Sequence, residues 1–244
     1  MERRDQEPVR GADKWWVTNA AKRMRGHLAG AARHWRQSSF GTCSICGPTI
    51  FVCTGPWLRD DLRCVRCRSI PRERALIKVL SDLAPDWRSS RLHEFAPGGA
   101  ATRVLASSDW YTASHFPDED LQALSFADQC LDLVVTQDVM EHVVDPNRAF
   151  AEIARVLRPG GLHLFTVPLY ADPTVVRVAT DGTLLAPAAY HADPAAPDQG
   201  ALVVREWGRD IVEHSVLETQ IIHFDDVKYG LRGEHLDVLV SRAA

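Results

Sequence analysis

The sequence lacks any long hydrophobic run, because no stretch approaches the roughly 20 uncharged apolar residues that a membrane-spanning helix needs. It also lacks the charged start, apolar core and small-residue cleavage site of a secretory signal. From these two absences we expect a cytoplasmic protein without a membrane span. Aromatic residues are not scarce: seven Trp and eight Phe, with 45% apolar residues, exclude a chain that is disordered throughout.

Charge is distributed unevenly along the 244 residues. The net charge is −4, but residues 1–90 carry +8 and residues 91–244 carry −12. The length allows one domain of about 150–200 residues with a small appendage. The predicted division is a basic helical segment at 1–40, a cysteine-rich module at 41–70 (the four-cysteine module), a linking helix at 71–90, and an α/β domain at 91–244.

The basic segment contains a predicted amphipathic helix over residues 13–37. Its apolar residues recur at spacings of three and four: Val17, Ala21, Met24, Leu28, Ala32 and Trp35. Its basic residues mostly fall off that stripe. Such a helix either rests on a membrane surface, an acidic partner or nucleic acid, or packs on its own domain with a solvated basic face.

Four of the six cysteines form two pairs with the spacing C-x2-C-x17-C-x2-C: Cys43, Cys46, Cys64 and Cys67. This spacing is typical of a zinc ribbon, in which two tight turns supply the four thiolates of a tetrahedral Zn²⁺ site. Four protein ligands leave no open position, so the predicted metal is structural. Disulfides and free thiols are the alternatives, and the lack of an export signal disfavours disulfides. Cys53 and Cys130 lie outside the pattern and are predicted to be small buried side chains.

From residue 71 onward the chain shows helix and strand signals in alternation. The predicted helices cover 71–80, 100–106, 146–157 and 208–217, and the predicted strands cover 91–95, 110–113, 131–136, 162–167, 220–224 and 236–240. This order predicts an α/β fold with an open, mostly parallel sheet and helices on both faces. The last two strands are predicted to form an antiparallel hairpin at one edge.

Residues 170–204 interrupt this alternation. They are rich in Pro, Ala and Asp and show no strong period. A loop of this length in a compact domain is usually a lid or a binding insertion. We therefore expect residues 170–204 to shape a binding pocket.

Three polar segments follow predicted strands, at the edge where open α/β sheets bind ligands. They are Glu94–Gly99, Asp118–Leu121 and Gln137–His142. Each also has a structural interpretation: a tight turn, a solvated acidic loop and a helix cap at Asp138, respectively.

Leu121–Pro168 resembles the second half of a class I S-adenosylmethionine-dependent methyltransferase domain of type 11. The shared features are a strand ending in Glu141-His142, a following helix, and the run Val156-Leu-Arg-Pro-Gly-Gly161 before the next strand. The resemblance covers roughly residues 91–169 and 205–241, including the predicted edge hairpin. It implies a Rossmann-like fold with a reversed last strand, preceded by a basic helix and a small zinc ribbon. That combination resembles a bacterial subgroup of uncertain substrate.

The resemblance also implies S-adenosylmethionine as the cofactor and a set of residues that bind it. The implied residues are Glu94, Ala96, Gly98 and Gly99 in the first loop, Ser114 after the second strand, Asp120 and Leu121 at the adenine, and Gln137 and Asp138 beneath the methionine portion. Two positions depart from the family pattern. Ala96 and Pro97 replace early glycines of the loop. Ser114 stands where an acid usually binds the ribose hydroxyls, and a hydroxyl cannot make the same bidentate contact.

Methyl transfer mainly requires alignment of the reacting atoms, and a hydroxyl or amine acceptor also benefits from a base. His142 is the predicted base, because the pKa of an unperturbed imidazole lies near neutrality. Glu141 is the second candidate. The alternative for His142 is a cap or packing role at the following helix, and His163 is predicted to be a core residue.

The leading prediction is a methyltransferase acting on a small molecule or glycan-like acceptor. One alternative is an RNA methyltransferase in which the basic part docks the nucleic acid. Its phosphate contacts would come from Arg59, Arg63, Arg66, Arg68, Arg72 and Arg74. Another alternative, suggested by Ser114, is a scaffold protein without catalytic activity. The sequence indicates no oligomeric state.

Overall fold

The computed structural model describes residues 25–170, 173–191 and 198–244. Part of the predicted amphipathic helix lies outside these residues. Its described part is helical over 25–34 (α1) and ends in a short 3-10 turn at Trp35–Gln37. Leu28 and Trp35 are 66% and 64% exposed, so this part of the apolar stripe is not covered by the described residues. No helix among the described residues is both long and apolar enough to cross a bilayer.

A small antiparallel sheet forms the four-cysteine module. Its strands are β1 (Ser39–Cys43), β2 (Gly47–Cys53) and β3 (Leu62–Cys64), with a short helix α2 (Leu58–Asp61) before β3. Phe51, Cys53 and Leu62 are fully buried and form the centre of this module's own core. Cys53 is thus buried as predicted, whereas Cys130 is only half-buried.

The linking helix α3 (Pro71–Leu83) joins the four-cysteine module to the large sheet. It begins at a proline, whose fixed φ and missing N–H suit the first turn of a helix. The Glu73 carboxylate accepts a hydrogen bond from the Ile70 N–H at 2.9 Å, which satisfies one of the donors before that turn. Leu76 and Leu80 are fully buried against the large sheet.

Six strands form the large sheet. Their bounds are β4 Arg91–Phe95, β5 Trp110–Ser114, β6 Leu131–Gln137, β7 Leu157–Thr166, β12 Glu218–His223 and β13 Asp237–Arg242. Their order across the sheet is β12-β13-β7-β6-β4-β5. The strands β4 to β7 are parallel to one another, and β13 runs antiparallel to both β7 and β12. This arrangement confirms the predicted α/β fold class and the antiparallel edge hairpin.

Two helices complete the larger domain: α4 (Gly99–Leu105) and α5 (Pro146–Val156). The α5 residues Phe150 and Ile153 pack with Val134 on one face of the sheet, while α3 packs with Leu133 and Val135 on the other. Consecutive residues of β6 are thus buried on opposite faces. This explains why the strand is a continuous apolar run.

Three predicted elements differ in detail. The run Arg158–Gly161, expected before the strand that follows α5, lies inside β7, which starts at Leu157 and shifts its register against β6 between Leu157 and Leu162. The segment predicted as a helix at 208–217 is a 3-10 helix at Arg209–His214. Residues 170–204 contain short strands instead of irregular chain alone. The short strands of this region are β8 (Val175–Val176) paired with β11 (Arg205–Glu206), and β9 (Tyr190–His191) paired with β10 (Ala201–Leu202).

Candidate functional site

A cleft of about 1100 Å³ lies at the carboxyl edge of the large sheet. The loops after β4 and β6 line its floor, which is where open α/β sheets bind ligands. The four-cysteine module and α3 contribute one wall through Arg59, Arg68 and Arg72, and the 170–204 segment contributes another through Tyr190 and His191. The sequence predicts the floor, but the contribution of the four-cysteine module is a finding of the structure.

The first loop, between β4 and α4, lines the cleft with Ala96, Gly98 and Gly99. Gly99 has a φ of +76°, and a Cβ there would collide with Oε1 of Glu73. That carboxylate accepts a hydrogen bond from the Ala100 N–H at 2.6 Å and so caps the first turn of α4. Only glycine fits this close approach. No described atom lies within 4 Å of a Cβ placed on Gly98, so the loop is open to the cleft there.

Glu94 and Ser114 are not among the residues that line the cleft, and their contact with the cofactor stays a prediction. Glu94 is fully buried and accepts hydrogen bonds from Thr102, Tyr111 and Gln137. Burial raises the pKa of the Glu94 carboxyl despite these donors. The Ser114 hydroxyl lies 2.9 Å from Nε2 of His93. Both side chains therefore hold neighbouring elements in place.

Asp120, Leu121 and Gln137 line the cleft, at positions where the resemblance predicts cofactor contacts. Oδ1 of Asp120 accepts from the backbone N–H and the side-chain amide of Gln122. The Gln137 amide donates to Glu94 at 3.1 Å, which orients it, while its Oε1 is buried with no hydrogen-bond partner among the described residues. A buried acceptor without a donor is costly, so this oxygen marks a place where a ligand donor would be stabilised.

Asp138 lines the cleft, but its carboxylate is engaged by arginines of the four-cysteine module and α3. Arg59 binds it in a bidentate pair at 2.6 and 2.9 Å, and Arg72 lies 3.3 Å away. The Thr166 hydroxyl donates to it at 3.0 Å. Burial alone would raise the pKa of the Asp138 carboxyl, but the two guanidinium groups outweigh burial and hold that pKa well below its usual value. The predicted helix cap at Asp138 is therefore wrong, and its side chain pairs across the molecule.

Two of the six arginines predicted to contact phosphates are buried, so these two do not fit the RNA-docking alternative. Arg59 is 1% exposed and Arg74 is fully buried. Arg74 donates to the carbonyl groups of Leu62 and Gly230, and so ties the four-cysteine module to the loop before β13. Buried, paired arginines cannot contact phosphates. Arg66 and Arg68 are exposed.

Glu141 and His142 follow β6 in a 3-10 turn at Met140–His142. Nδ1 of His142 lies 2.7 Å from the Leu202 carbonyl oxygen, which can only accept, so Nδ1 carries the proton and Nε2 a lone pair. Glu141 is 1% exposed, and neither of its carboxylate oxygens has a hydrogen-bond partner among the described residues. His163 is fully buried, as predicted, and burial lowers its pKa to about 3.

His191 is a cleft residue that sequence reasoning missed. Its Nδ1 lies 3.6 Å from Oε1 of Glu141, which in turn lies 4.0 Å from Nε2 of His142. The Glu141 carboxylate raises the pKa of His191 against the effect of burial. No local motif marks His191, since it comes from the segment that carries no readable period. Only the pairing of β9 with β10, which also carries Leu202, brings it to Glu141.

The four predicted metal ligands converge at the tip of the four-cysteine module. All four Sγ atoms lie within 4.8 Å of one another, with Cys43 and Cys67 at 3.6 Å and Cys46 and Cys64 at 3.5 Å. These separations are too long for disulfides. A tetrahedral Zn²⁺ with Zn–S bonds of about 2.3 Å places its sulfurs about 3.8 Å apart, so the donor set fits a structural zinc.

The family profile described as "Methyltransferase domain" matches residues 100–165, from α4 to the end of β7. This segment contains Asp120, Gln137 and the Glu141-His142 pair. Residues 100–165 are therefore similar to a methyltransferase domain. The match leaves out the four-cysteine module, the first loop at residues 96–99 and the 170–204 segment, so it includes the part of the cleft floor after β6 but not the loop after β4 or the walls.

Curated relatives match over a short segment only. The chain is 40% identical over 55 residues to the dimethylglycine N-methyltransferase of Parasynechococcus marenigrum, which is 22% of this chain and 20% of that protein. It is 41% identical over 51 residues to an uncharacterized methyltransferase of Mycobacterium sp. (strain JLS). The match thus spans about a fifth of the length of these relatives. Among solved structures, the Burkholderia thailandensis 1,6-didemethyltoxoflavin-N1-methyltransferase with bound S-adenosylhomocysteine aligns at a TM-score of 0.47 and 14% identity, covering 70% of this chain and 78% of that one.

Proposed function

We propose that this protein transfers a methyl group from S-adenosylmethionine to a small-molecule or glycan-like acceptor. The observation that carries the proposal is the match of residues 100–165 to a methyltransferase domain, together with the position of Asp120, Leu121 and Gln137 on the lining of the cleft. Gln137, whose Oε1 has no hydrogen-bond partner among the described residues, is expected beneath the methionine portion, whose ammonium group would donate to it. The same cleft presents Asp120 and Leu121 for the adenine.

The cofactor supplies a methyl group on a positively charged sulfur, and the protein's part is to hold, orient and shield the reactants. Asp120 would accept from the adenine amino group, and the open backbone at Gly98 allows close approach of the ligand. Asp138 would shape the cleft floor through its backbone, because its carboxylate is paired with Arg59. The ribose hydroxyls would have to find a partner other than Ser114.

His142 is the proposed base for a hydroxyl or amine acceptor. Its Nε2 carries the lone pair, and its ring is held by the Leu202 carbonyl and lines the cleft. An acceptor proton would pass to Nε2, and the neighbouring Glu141 carboxylate would stabilise the resulting imidazolium. Tyr170 and Tyr190 line the same cleft and offer an apolar surface with polar tips for the acceptor.

A small acceptor is favoured over RNA by where the positive charge lies. In the basic front of the chain (residues 1–90), Arg59, Arg72 and Arg74 are paired with carboxylates and carbonyl groups of the protein itself. We also propose that the four-cysteine module binds one structural Zn²⁺. Its role would be to fix the wall that carries Arg59, since zinc binding supplies folding free energy to small modules.

Binding is tested by calorimetry of S-adenosylmethionine with the zinc-loaded protein and with Gln137→Met. Loss of one buried hydrogen bond is expected to weaken cofactor binding about tenfold. The control is Gln220→Met on the exposed edge strand β12, which should bind like the wild type. Absence of binding to the wild type at millimolar cofactor would contradict the proposal and favour the scaffold alternative.

Catalysis is tested by methyl-labelled cofactor incubated with fractionated small-molecule extracts. His142→Ala is expected to lower the rate of label transfer by about 10²–10⁴ while calorimetry shows unchanged cofactor affinity. The matched control is His223→Ala, which removes another histidine paired with a carboxylate, Asp237, at the far edge of the sheet. Full label transfer by His142→Ala would remove the base from the proposal.

A further inference from the structure

Three metal-ligating side chains from two distant parts of the chain meet at one wall of the cleft. Ligand atoms of Glu141, His142 and His191 all lie within 4.8 Å of one another. Glu141 and His142 come from the turn after β6, and His191 comes from β9. The two histidines line the cleft, whereas the carboxylate lies behind them.

The Glu141 carboxylate lacks the hydrogen bonds that a buried charge requires. It is 1% exposed, and neither oxygen accepts a hydrogen bond from the described residues. The nearby Arg59 guanidinium interacts with it electrostatically but is bound in a bidentate pair to Asp138. An ionised carboxylate in this state is strongly destabilising unless a positive charge lies beside it, either a bound metal cation or a protonated His191, whose Nδ1 is 3.6 Å away.

The positions of both histidines are fixed by neighbouring backbone, as is common for histidines that bind metals. The Leu202 carbonyl accepts the Nδ1 proton of His142 at 2.7 Å, which fixes the tautomer with the Nε2 lone pair toward Glu141. A backbone carbonyl in this role is the common outer contact of a metal-binding imidazole. Leu202 lies in β10, and the same pairing of β9 with β10 sets the position of His191.

We propose that Glu141, His142 and His191 form a binding site for a divalent transition-metal cation, separate from the four-cysteine zinc site. Two imidazole nitrogens and one carboxylate oxygen are donors that suit Zn²⁺, Fe²⁺ and Mn²⁺. Ligand bonds of about 2.1 Å place adjacent donors about 3.0–3.4 Å apart. The observed 3.6 and 4.0 Å to the carboxylate, and a separation of at most 4.8 Å between the two imidazole nitrogens, would close to these values with side-chain movements of about an ångström. Three protein ligands leave coordination positions open toward the cleft.

The site deepens the proposed function and rests on it for its role. A cation here would bind an oxygen of the acceptor, which indicates an acceptor with a hydroxyl group. Coordination lowers the pKa of such a hydroxyl. Its O–H bond would then break with the proton passing to solvent. The electron pair left on the oxygen would form the new bond to the methyl carbon, while the C–S bond of the cofactor breaks, its electron pair returns to sulfur, and S-adenosylhomocysteine leaves. The Nε2 lone pair of His142 would be used for the metal, which would replace His142 as the activator.

The competing explanation needs no metal. A protonated His191 beside an ionised Glu141 would balance the buried charge by itself, with His142 left as the base. Both explanations keep the three side chains together, so variants alone do not separate them. Direct measurement of metal binding does.

The experiment uses the full chain, loaded with zinc and dialysed until elemental analysis gives a constant zinc content. Mn²⁺ is added and free Mn²⁺ is followed by electron paramagnetic resonance, because thiolate sites disfavour this ion. Zn²⁺ and Fe²⁺ are titrated in parallel by anaerobic calorimetry. The proposal predicts one further cation per chain for at least one of the three metals. His191→Ala and Glu141→Gln should weaken the binding of this further cation by about tenfold or more, whereas His223→Ala should leave the affinity unchanged.

Two results would overturn the metal site. One is no further uptake of any of the three metals by the zinc-loaded wild type. The other is uptake that is equal in His191→Ala and His223→Ala. Cofactor calorimetry on the same samples separates this result from the proposed function. Cofactor binding without metal uptake overturns only the metal site, whereas metal uptake without cofactor binding overturns the methyltransferase proposal.

Discussion

The basic front of the chain and its acidic sheet domain differ in composition but share one binding cleft. By net charge alone, the front is typical of a surface for an external acidic partner. In the structure, its central arginines reach into the sheet domain: Arg59 pairs with Asp138, and Arg74 donates to the Gly230 carbonyl. The charges of these two arginines, which composition assigns to an external surface, are therefore neutralised or hydrogen-bonded inside the molecule.

This difference shows that the net charge of a segment counts its charged residues but does not tell which way their side chains point. An arginine has a planar donor group that suits bidentate binding of a carboxylate as well as of a phosphate. The two uses cannot be told apart from sequence when the carboxylate lies far along the chain. Substitutions in the front, and at the pair that joins the front to the sheet, can now test whether these arginines bind carboxylates inside the molecule or phosphates outside it.

Removing a zinc ligand should have the largest effect on the front. Cys64→Ser leaves three thiolates, so the four-cysteine module should lose its zinc and its fold, because apparent zinc-binding free energies in such modules are about 10–16 kcal/mol. Elemental analysis should find the zinc content lost and calorimetry the cofactor affinity lowered, since the wall carrying Arg59 is lost. Cys130→Ser, outside the cluster, should keep both. A Cys64→Ser protein with full zinc content would refute the four-cysteine site.

Breaking the pair between the two regions should have the next largest effect. Arg59→Met leaves the Asp138 carboxylate with Arg72 alone and is expected to cost about 3 kcal/mol of unfolding free energy. Urea denaturation measures it. Arg91→Met, at the exposed start of β4, is the matched control and should change stability by less than about 0.5 kcal/mol. Equal effects of the two substitutions would mean that the pair does not join the front to the sheet.

The same pair predicts a pH dependence. The pKa of Asp138 is lower in the folded protein than in the unfolded chain, where it is about 3.9. The stability that it contributes is therefore present above about pH 4 and lost as the pH falls toward the folded value. The difference in unfolding free energy between wild type and Asp138→Asn should be constant from about pH 7 to 5 and shrink below about pH 4. A difference that stays constant down to about pH 3 would contradict the pairing.

The smallest predicted effect concerns Arg68, an arginine of the front that takes no part in the Arg59–Asp138 pair. Arg68 is exposed and has a φ of +64°, a left-handed conformation that costs a non-glycine residue about 1 kcal/mol. Arg68→Gly should therefore raise the free energy of unfolding by up to about 1 kcal/mol, as measured by urea denaturation. Arg66 lies in the same turn but has no positive φ, so Arg66→Gly should lower the free energy of unfolding. Destabilisation by both would show that Arg68 makes a stabilising contact.

The sequence predicts the fold well because periodicity and turn chemistry are local signals. The apolar run of β6, the proline that starts α3 and the glycine turn after β4 each lie within a few residues of what they specify. The cysteine spacing likewise predicts a cluster that the structure brings together. The adenine-side residues Asp120 and Leu121 follow from the resemblance and do line the cleft.

Long-range pairing is what the sequence does not show. The Arg59–Asp138 pair joins the four-cysteine module to the end of β6, and His191 meets Glu141 only through the pairing of β9 with β10. Glu94 and Ser114 occupy the expected positions along the chain but do not line the cleft, because Tyr111 and His93 hold them. Which way a side chain points depends on tertiary partners that no local pattern encodes.

The shared cleft is tested most directly by hydrogen–deuterium exchange of the zinc-loaded full chain with and without S-adenosylmethionine. A cofactor bound in this cleft should slow exchange in two separate places: the sheet loops at 96–100 and 137–142, and the four-cysteine module around 57–60, whose side chains line the same cleft. Protection of both regions would confirm that the front forms part of the cofactor site. Protection of the sheet loops alone, or of neither region, would contradict it.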